Sequence, residues 1–301
     1  EFYGSNPIFI CCSATIANPQ ELASRITGVD VKLIDNNGAP SGKKHIIFYN
    51  PPVVNKELGI RKSSLLEAER LAELLIRNNI QTIVFTRSRL NVEVLVTYLR
   101  EIYRGREDGD KRIRGYRGGY LPNLRREIER GLRQGTITGV VSTNALELGV
   151  DIGALEACVI CGYPGTISST WQQAGRAGRR SGESVVFLVA SSSPLDQYII
   201  NNPDYFFGKN PENGLINPDN LAILYSHIKC AAFELPFRDG EKFGVETTDE
   251  ILSYMQEAKI LRHVGNRWHW MSDAFPASEI SLRSASNENF IIIDITEPKH
   301  I

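Results

Sequence analysis

Between residues 81 and 190 the chain repeats one pattern: a strand-length apolar run, a polar cluster, then a helical stretch. Residues 81–86, 137–142, 155–162 and 184–190 have the length and β-branched content of strands. Residues 89–103 read as a helix with Val92, Leu95, Val96, Leu99 and Ile102 on one face. Apolar runs without polar alternation suit strands covered on both faces, and the intervening helices supply the cover. The expected fold class is therefore α/β, with a parallel sheet. Upstream, residues 31–35 and 45–49 read as further strands around the turn-rich stretch 36–40, and 8–12 is a short apolar run. Ser64-Leu65-Leu66-Glu67 fits a capping box that opens a helix to about Arg77.

The pattern changes after Asn202. Asn217-Pro218 predicts a helix start, with the helix reaching about Phe233. Thr247-Thr248-Asp249-Glu250 is a second capping box for a helix to Ala258, and residues 260–271 read as a hairpin turning at Gly265-Asn266. Helices followed by a hairpin suggest a smaller, winged-helix-like α+β domain. Residues 45–200 are expected to form the sheet domain and 201–301 the second domain, with 1–44 a connection leading in.

At 301 residues, with 42% hydrophobic and 23% charged residues, the chain has room for two cores. A formal net charge of −1 argues against a chain basic throughout, but residues 100–133 hold eleven Lys/Arg against six Asp/Glu. That local excess suits a phosphate-gripping track, or else a solvated surface of i,i+4 ion pairs. No apolar run reaches membrane-span length, the longest candidate being 290–293, and no signal peptide is visible, so a cytoplasmic location is expected. The first residue is Glu1 rather than Met, as in a piece of a longer protein. Five cysteines are an odd count, better suited to a reducing compartment than to a disulfide framework. Cys158 and Cys161 lie three apart on an expected strand, hence on opposite faces, and read as buried core residues rather than half of a metal site.

Four clusters carry candidate chemistry. In Gln172-Gln173-Ala174-Gly175-Arg176-Ala177-Gly178-Arg179-Arg180, Arg176 and Arg179 lie three apart, the spacing of one helical turn. A guanidinium there can reach a γ-phosphate across a cleft as an arginine finger; the cluster reads equally as a solvated basic helix end. Ser142-Thr143-Asn144-Ala145-Leu146-Glu147-Leu148-Gly149-Val150-Asp151 follows a strand, where hydroxyls and free N–H groups make an anion site, or an ordinary polar connection. Thr86-Arg87-Ser88 ends another strand, the place where open α/β sheets hold ligands. Ser13-Ala14-Thr15 is uninformative alone.

Taken in order, these clusters resemble motifs IV, V and VI of superfamily 2 helicases, preceded by motif III at Ser13-Ala14-Thr15. Tyr116-Arg117-Gly118-Gly119-Tyr120 looks like the extra motif between IV and V. The resemblance implies a second RecA-like lobe of a P-loop-type ATPase. It assigns Arg176 and Arg179 to the catalytic arginines, and Gln172, Gly149 and Asp151 to the nucleotide. Thr86, Arg87, Arg117, Gly118 and Thr143 would contact the tracked strand, and Ser13 and Thr15 would couple the lobes. ATP and Mg²⁺ would be bound mainly by a first lobe, of which residues 1–15 are the tail; neither a Gly-Lys-Ser/Thr loop nor an acidic box occurs in this chain, so the isolated chain is expected to be inactive. Gly38-Ala39-Pro40-Ser41-Gly42-Lys43-Lys44 is one spacer short of such a loop and reads as a turn.

His227-Ile228-Lys229-Cys230-Ala231-Ala232-Phe233-Glu234-Leu235-Pro236 and the stretch 275–284 are similar to the YprA/MrfA group of DNA helicases. That similarity implies 3′-to-5′ movement on single-stranded and duplex DNA, a role in DNA repair, and a nucleoid-associated protein. Two other readings stay open: an RNA helicase lobe, and a non-catalytic nucleic-acid-binding module. Trp268 and Trp270 share one face of the expected hairpin, either packing into a small core or stacking on an unpaired base.

Overall fold

The computed structural model describes Gly4 and residues 7–13, 15–39, 42–105, 109–153, 155–178, 182–217 and 220–280. The chain forms two compact units, Glu1–Gly214 and Leu215–Ile301.

The first unit runs α1 (Pro19–Thr27), β1 (Lys44–Tyr49), β2 (Val53–Asn55), β3 (Ile60–Arg61), α2 (Ser64–Arg77), β4 (Thr82–Phe85), α3 (Arg89–Arg100) and α4 (Gly109–Arg112). It continues through β5 (Ile113–Tyr116), α5 (Pro122–Gln134), β6 (Gly139–Ser142), β7 (Ala157–Cys161), α6 (Ile167–Ala174), β8 (Ser184–Val189), α7 (Pro194–Asn201) and α8 (Pro203–Gly208). Six strands form a sheet in the order β1-β8-β7-β4-β6-β5, and every pairing in it is parallel. This is the expected α/β architecture.

Successive strand residues feed opposite cores. Ile83, Phe85, Val140, Cys158, Ile160, Val186 and Leu188 pack with α5 and α6 through Ile128, Leu132, Ile167 and Ala174. Val84, Val141, Ala157, Val159 and Val189 pack on the other side with Ala68, Leu71, Ala72, Val92, Leu95 and Leu99 of α2 and α3. Cys158 thus belongs to one core while Cys161 packs against the other.

Local chemistry sets the ends. The Ser88 hydroxyl caps α3 by accepting from Asn91 N at 3.0 Å. Helix α2 departs from its expected capping box: Ser63 occupies the cap position, and neither end of the box forms. Its Glu67 turns inward instead. The carboxylate accepts from the Tyr49 hydroxyl at 2.5 Å and from Arg70 Nη2 at 3.0 Å, with Lys62 Nζ 3.6 Å away. The Tyr49 hydroxyl is the main influence holding the Glu67 carboxyl below its usual range, against the opposing effect of burial.

One expectation is corrected. Residues 31–35 form no strand, and the apolar run 8–12 also joins no sheet; Ile8, Ile10 and Ile34 are exposed, and an apolar run with no sheet neighbour has no ladder to join. The hairpin of β2 and β3 was not foreseen. The compact units divide at Gly214/Leu215, inside the 191–217 stretch where the sequence pattern changes, and α7 and α8 pack on the sheet unit: Phe206 lies 5.4 Å from Phe48 and 5.3 Å from Trp171, centroid to centroid.

The second unit contains α9 (Leu221–Glu234), β9 (Phe237–Arg238), α10 (Thr248–Glu257), β10 (Leu261–Val264) and β11 (Arg267–Trp270). Its strands form an antiparallel sheet in the order β10-β11-β9, giving the winged-helix arrangement. The α9 cap is Asn220, accepting from Ala222 N and Ile223 N, rather than Asn217; Pro218 lies outside the described residues. Thr248 Oγ1 binds the preceding loop at Phe243 N and Val245 O, so the second capping box also does not form. Trp268 is buried with Phe237, Leu252, Met255 and Leu261. Trp270 packs edge-on against Phe233, and its Nε1 donates to Ser272 O. The stacking assignment of Trp268 is therefore corrected: its ring completes a core. The run 290–293 and residues 281–284 lie outside the described residues.

Two outcomes follow from this packing. Trp268→Ala should cost about 3–5 kcal/mol of stability, read as a large fall in melting temperature. Glu67→Gln should destabilise at neutral pH by about 1–3 kcal/mol. Because the folded-state value of Glu67 is depressed, its contribution is complete above the unfolded value of about 4.3 and vanishes as pH falls through the lower folded value. Melting curves of wild type and variant should accordingly converge in acid; a gap independent of pH would refute the charged network.

Candidate functional site

All six strands of the main sheet run the same way, so their C-terminal ends share one edge. Thr86 and Arg87 follow β4, Thr143 and Asn144 follow β6, and Gly162 follows β7. Helix α6 closes the space above them. Thr86, Arg87, Asn144, Glu147, Cys161 and Gln173 help line a cleft of about 270 Å³ there.

Glu147 is the hub on its inner side. Its side chain is nearly buried, and one carboxylate oxygen accepts from Ser169 Oγ and Gln173 Nε2, each at 2.8 Å. Its backbone carbonyl accepts from Arg176 Nε at 3.0 Å and also from Nη2. Arg176 Nη1 donates to Val150 O at 2.6 Å. Arg176 is 4% exposed, so its guanidinium is spent on fastening the end of α6 to the loop after β6. Sequence reasoning expected Arg176 to face the nucleotide; here its guanidinium turns to the carbonyls of Glu147 and Val150. Burying a guanidinium is tolerable only when its donors are satisfied, and backbone carbonyls do that here. Arg179 lies outside the described residues.

Gly178 continues this turn with φ +77°, donating its N–H to Leu155 O at 2.9 Å. A Cβ at Gly178 would run into the Ser184 side chain. Gly149 is exposed and also left-handed, with φ +75°. Asp151 Oδ1 accepts from Gly153 N at 3.1 Å, and its carbonyl accepts from Arg133. Gln172 is half-buried on α6 and reaches Ser168 Oγ at 3.5 Å.

On the outer side, Thr86 is buried, its hydroxyl exchanging hydrogen bonds with the backbone of Ser88. The Thr143 hydroxyl accepts from Ala145 N at 3.4 Å and remains half-buried. Arg87 donates to Tyr163 O and to Asp196 Oδ1 at 3.1 Å; its side chain is still 53% exposed, while that of Asp196 is fully buried. Burial resists charge on Asp196, but the Ser191 N–H and the Ser193 hydroxyl outweigh it and hold the carboxyl low. Burial pushes the Cys161 thiol up. Arg117 and Gly118 are not among the residues lining this cleft. Arg117 donates to Glu93 on α3 and lies over the Tyr120 ring, and Gly118 has open space around it.

Thr15 meets the site through its backbone, its carbonyl accepting from Ser168 Oγ at 2.7 Å; Ser13 is exposed. The Glu212 carboxylate accepts from Ile167 N at 2.6 Å and Ser168 N at 2.9 Å, closing the first turn of α6. Burial opposes its charge, but these N–H donors prevail and keep it low. Sequence reasoning passed over Glu147, Ser169, Gln173, Asp196 and Glu212. Glu147 and Gln173 lie inside clusters already singled out without being given a role, and Asp196 had a local signal in the Ser193-Pro194-Leu195-Asp196 helix start.

The Arg176 fork should behave as structure. Arg176→Ala should lower stability by about 3 kcal/mol, seen as a clear fall in melting temperature of the 301-residue chain. An unchanged melting temperature would return Arg176 to the role of a free finger.

Comparison with known proteins agrees with this architecture. The Helicase conserved C-terminal domain family matches residues 66–181, and the winged helix domain of ATP-dependent helicase HRQ1 matches residues 216–285. The chain is 60% identical to the ATP-dependent helicase YprA of Bacillus subtilis over 97% of its own length, and 35% identical to HRQ1 of Saccharomyces cerevisiae over 100%. It spans 39% and 29% of those relatives. The crystal structure of the helicase MrfA bound to DNA and AMPPNP is 59% identical with a TM-score of 0.84, covering 98% of this chain and 41% of that one.

Proposed function

As the chain belongs to the superfamily 2 helicases, where it is a C-terminal lobe with a winged-helix domain of the YprA/MrfA group, we propose that its parent is an ATP-driven 3′-to-5′ DNA helicase acting in DNA repair. The observation that carries this reading is the buried lattice of Glu147, Gln173, Ser169 and Arg176. It locks the loop after β6 and the end of α6 into one rigid edge at the mouth of the sheet. Rigid placement is what an arginine reaching across to the other lobe requires, since a finger contributes only when held at the transferring phosphoryl group.

In this reading Arg179 supplies the finger, and Arg176 positions the turn that presents it. Gln172, Gly149 and Asp151 face the nucleotide. Thr86, Arg87, Thr143, Arg117 and Gly118 meet the backbone of the tracked strand, with Arg87 aimed by Asp196. DNA is favoured over RNA by the DNA-bound relative. Thr15, through Ser168, couples the preceding lobe to α6. Among the described residues no cluster of His, Cys, Asp or Glu is placed to hold a metal ion. By the motif resemblance, the Mg²⁺ site and the phosphate loop are assigned to that other lobe. No helix among the described residues is long and apolar enough to cross a membrane.

The test is made in the full-length parent. Arg179→Ala should cut ATP turnover by about a thousandfold while single-stranded DNA binding and melting temperature stay near wild type. Normal turnover in that variant would overturn the assignment.

A further inference from the structure

Helix α6 carries Gln172 and leads into the Arg176 turn, and charged groups from distant segments hold both of its ends. At the far end Lys44 Nζ donates to Ala174 O at 2.9 Å. At the start, the Thr166 hydroxyl caps one donor, accepting from Ser169 N at 3.0 Å. The other two first-turn donors, Ile167 N and Ser168 N, go to the Glu212 carboxylate, one to each oxygen. An acid at a helix start and a base at its end both complement the macrodipole.

The contact from Ile167 to Glu212 spans 45 residues of chain. A capping side chain from the local turn would close a far shorter loop, at less entropic cost. The long closure achieves something that a local cap does not: it fixes the segment that leaves the sheet unit. At the same place that segment is tied to the one that enters the unit. Glu212 O accepts from Ala17 N at 3.3 Å. The Asn18 amide exchanges two hydrogen bonds with Gly214, one with its N–H at 2.8 Å and one with its carbonyl at 3.2 Å. Ser168 Oγ adds its bond to Thr15 O. Residues 15–18, the first turn of α6 and residues 212–214 therefore form a three-way junction within the sheet unit. Glu212 itself is exposed, where a carboxylate at a helix start adds little to stability. It also lies outside every cluster that resembles a helicase motif.

We propose that Glu212 is a positioning residue for ATP turnover, setting where α6 begins and thereby where the arginine turn at its other end is held. Through it, a displacement of the segment entering or leaving the unit moves α6 as well. The inference rests on the reading in which α6 presents Arg179.

The experiment is steady-state ATP turnover by the full-length parent at saturating oligo-dT, run well below the melting temperature, which is measured in parallel. Glu212→Ala should lower kcat by about ten- to a hundredfold, the scale of effect that a misplacement of about 1 Å brings. KM for ATP should stay at the wild-type value, since what is lost acts only as the phosphoryl group transfers. Glu212→Gln keeps one acceptor and should lose less. Asn18→Ala should lower kcat in the same way, and adding it to Glu212→Ala should change little further, as for parts of one junction. A fall in melting temperature with wild-type kcat would make Glu212 a plain helix cap and overturn the proposal, as would a raised KM at unchanged kcat. Losses that multiply in the double variant would overturn it too. If Glu212→Ala does not fold, Glu212→Gln and Asn18→Ala decide, and wild-type kcat in both counts against the proposal. Normal turnover in Arg179→Ala would remove the reading beneath it. Wild-type kcat in Glu212→Ala beside an inactive Arg179→Ala would sink this inference alone.

Discussion

A buried guanidinium joins the two most function-bearing segments of the sheet unit. Arg176 donates hydrogen bonds to the carbonyls of Glu147 and Val150, and the Glu147 carboxylate returns the connection to α6 through Ser169 and Gln173. Each partner alone would be an expensive burial: a charge without a counterpart on one side, orphaned carbonyls on the other. Together they cross-brace a loop and a helix, beside the backbone bond from Gly178 N to Leu155 O. The cleft at the strand ends keeps its shape because this brace has little freedom to rearrange. Nothing about Arg176 in isolation distinguishes a brace from a reaching arm, since both need a long cationic side chain after a glycine; burial separates them.

The sheet was legible because its signal is local and redundant. Five strands and helix α3 were placed within a few residues by apolar runs and helical periodicity alone, and the opposite-face placement of Cys158 and Cys161 followed from their spacing. The run at 31–35 misled because apolar character records a need for cover, not the form the cover takes. The capping boxes misled for a related reason. Ser64 and Glu67 have the right spacing, but a tertiary partner, Tyr49, takes the carboxylate.

The site was legible as a set of clusters and not as a network. Thr143, Gly149, Asp151 and Gln172 sit where the strand ends put them. Asp196, which holds Arg87, and Glu212, which closes the first turn of α6, come from segments far along the chain, and Glu212 carries no mark beyond being acidic. Trp268 was open to two readings because period-2 alternation says which residues share a face, but not which face meets a core. The three-stranded sheet answers that with Phe237 and Met255.

The order of strands also bears on how the chain is made. Within the main sheet β1 pairs with β8 alone, Lys44 lying beside Ser184 and Tyr49 beside Val189. The inner strands β4, β6 and β7 can find one another once residues through Cys161 have left the ribosome. The first strand synthesised must wait, its edge unsatisfied, for the last to emerge. Its exposed amides are then a template for a foreign strand. Lys43 and Lys44 at its leading end are the kind of charge that discourages such pairing during the wait.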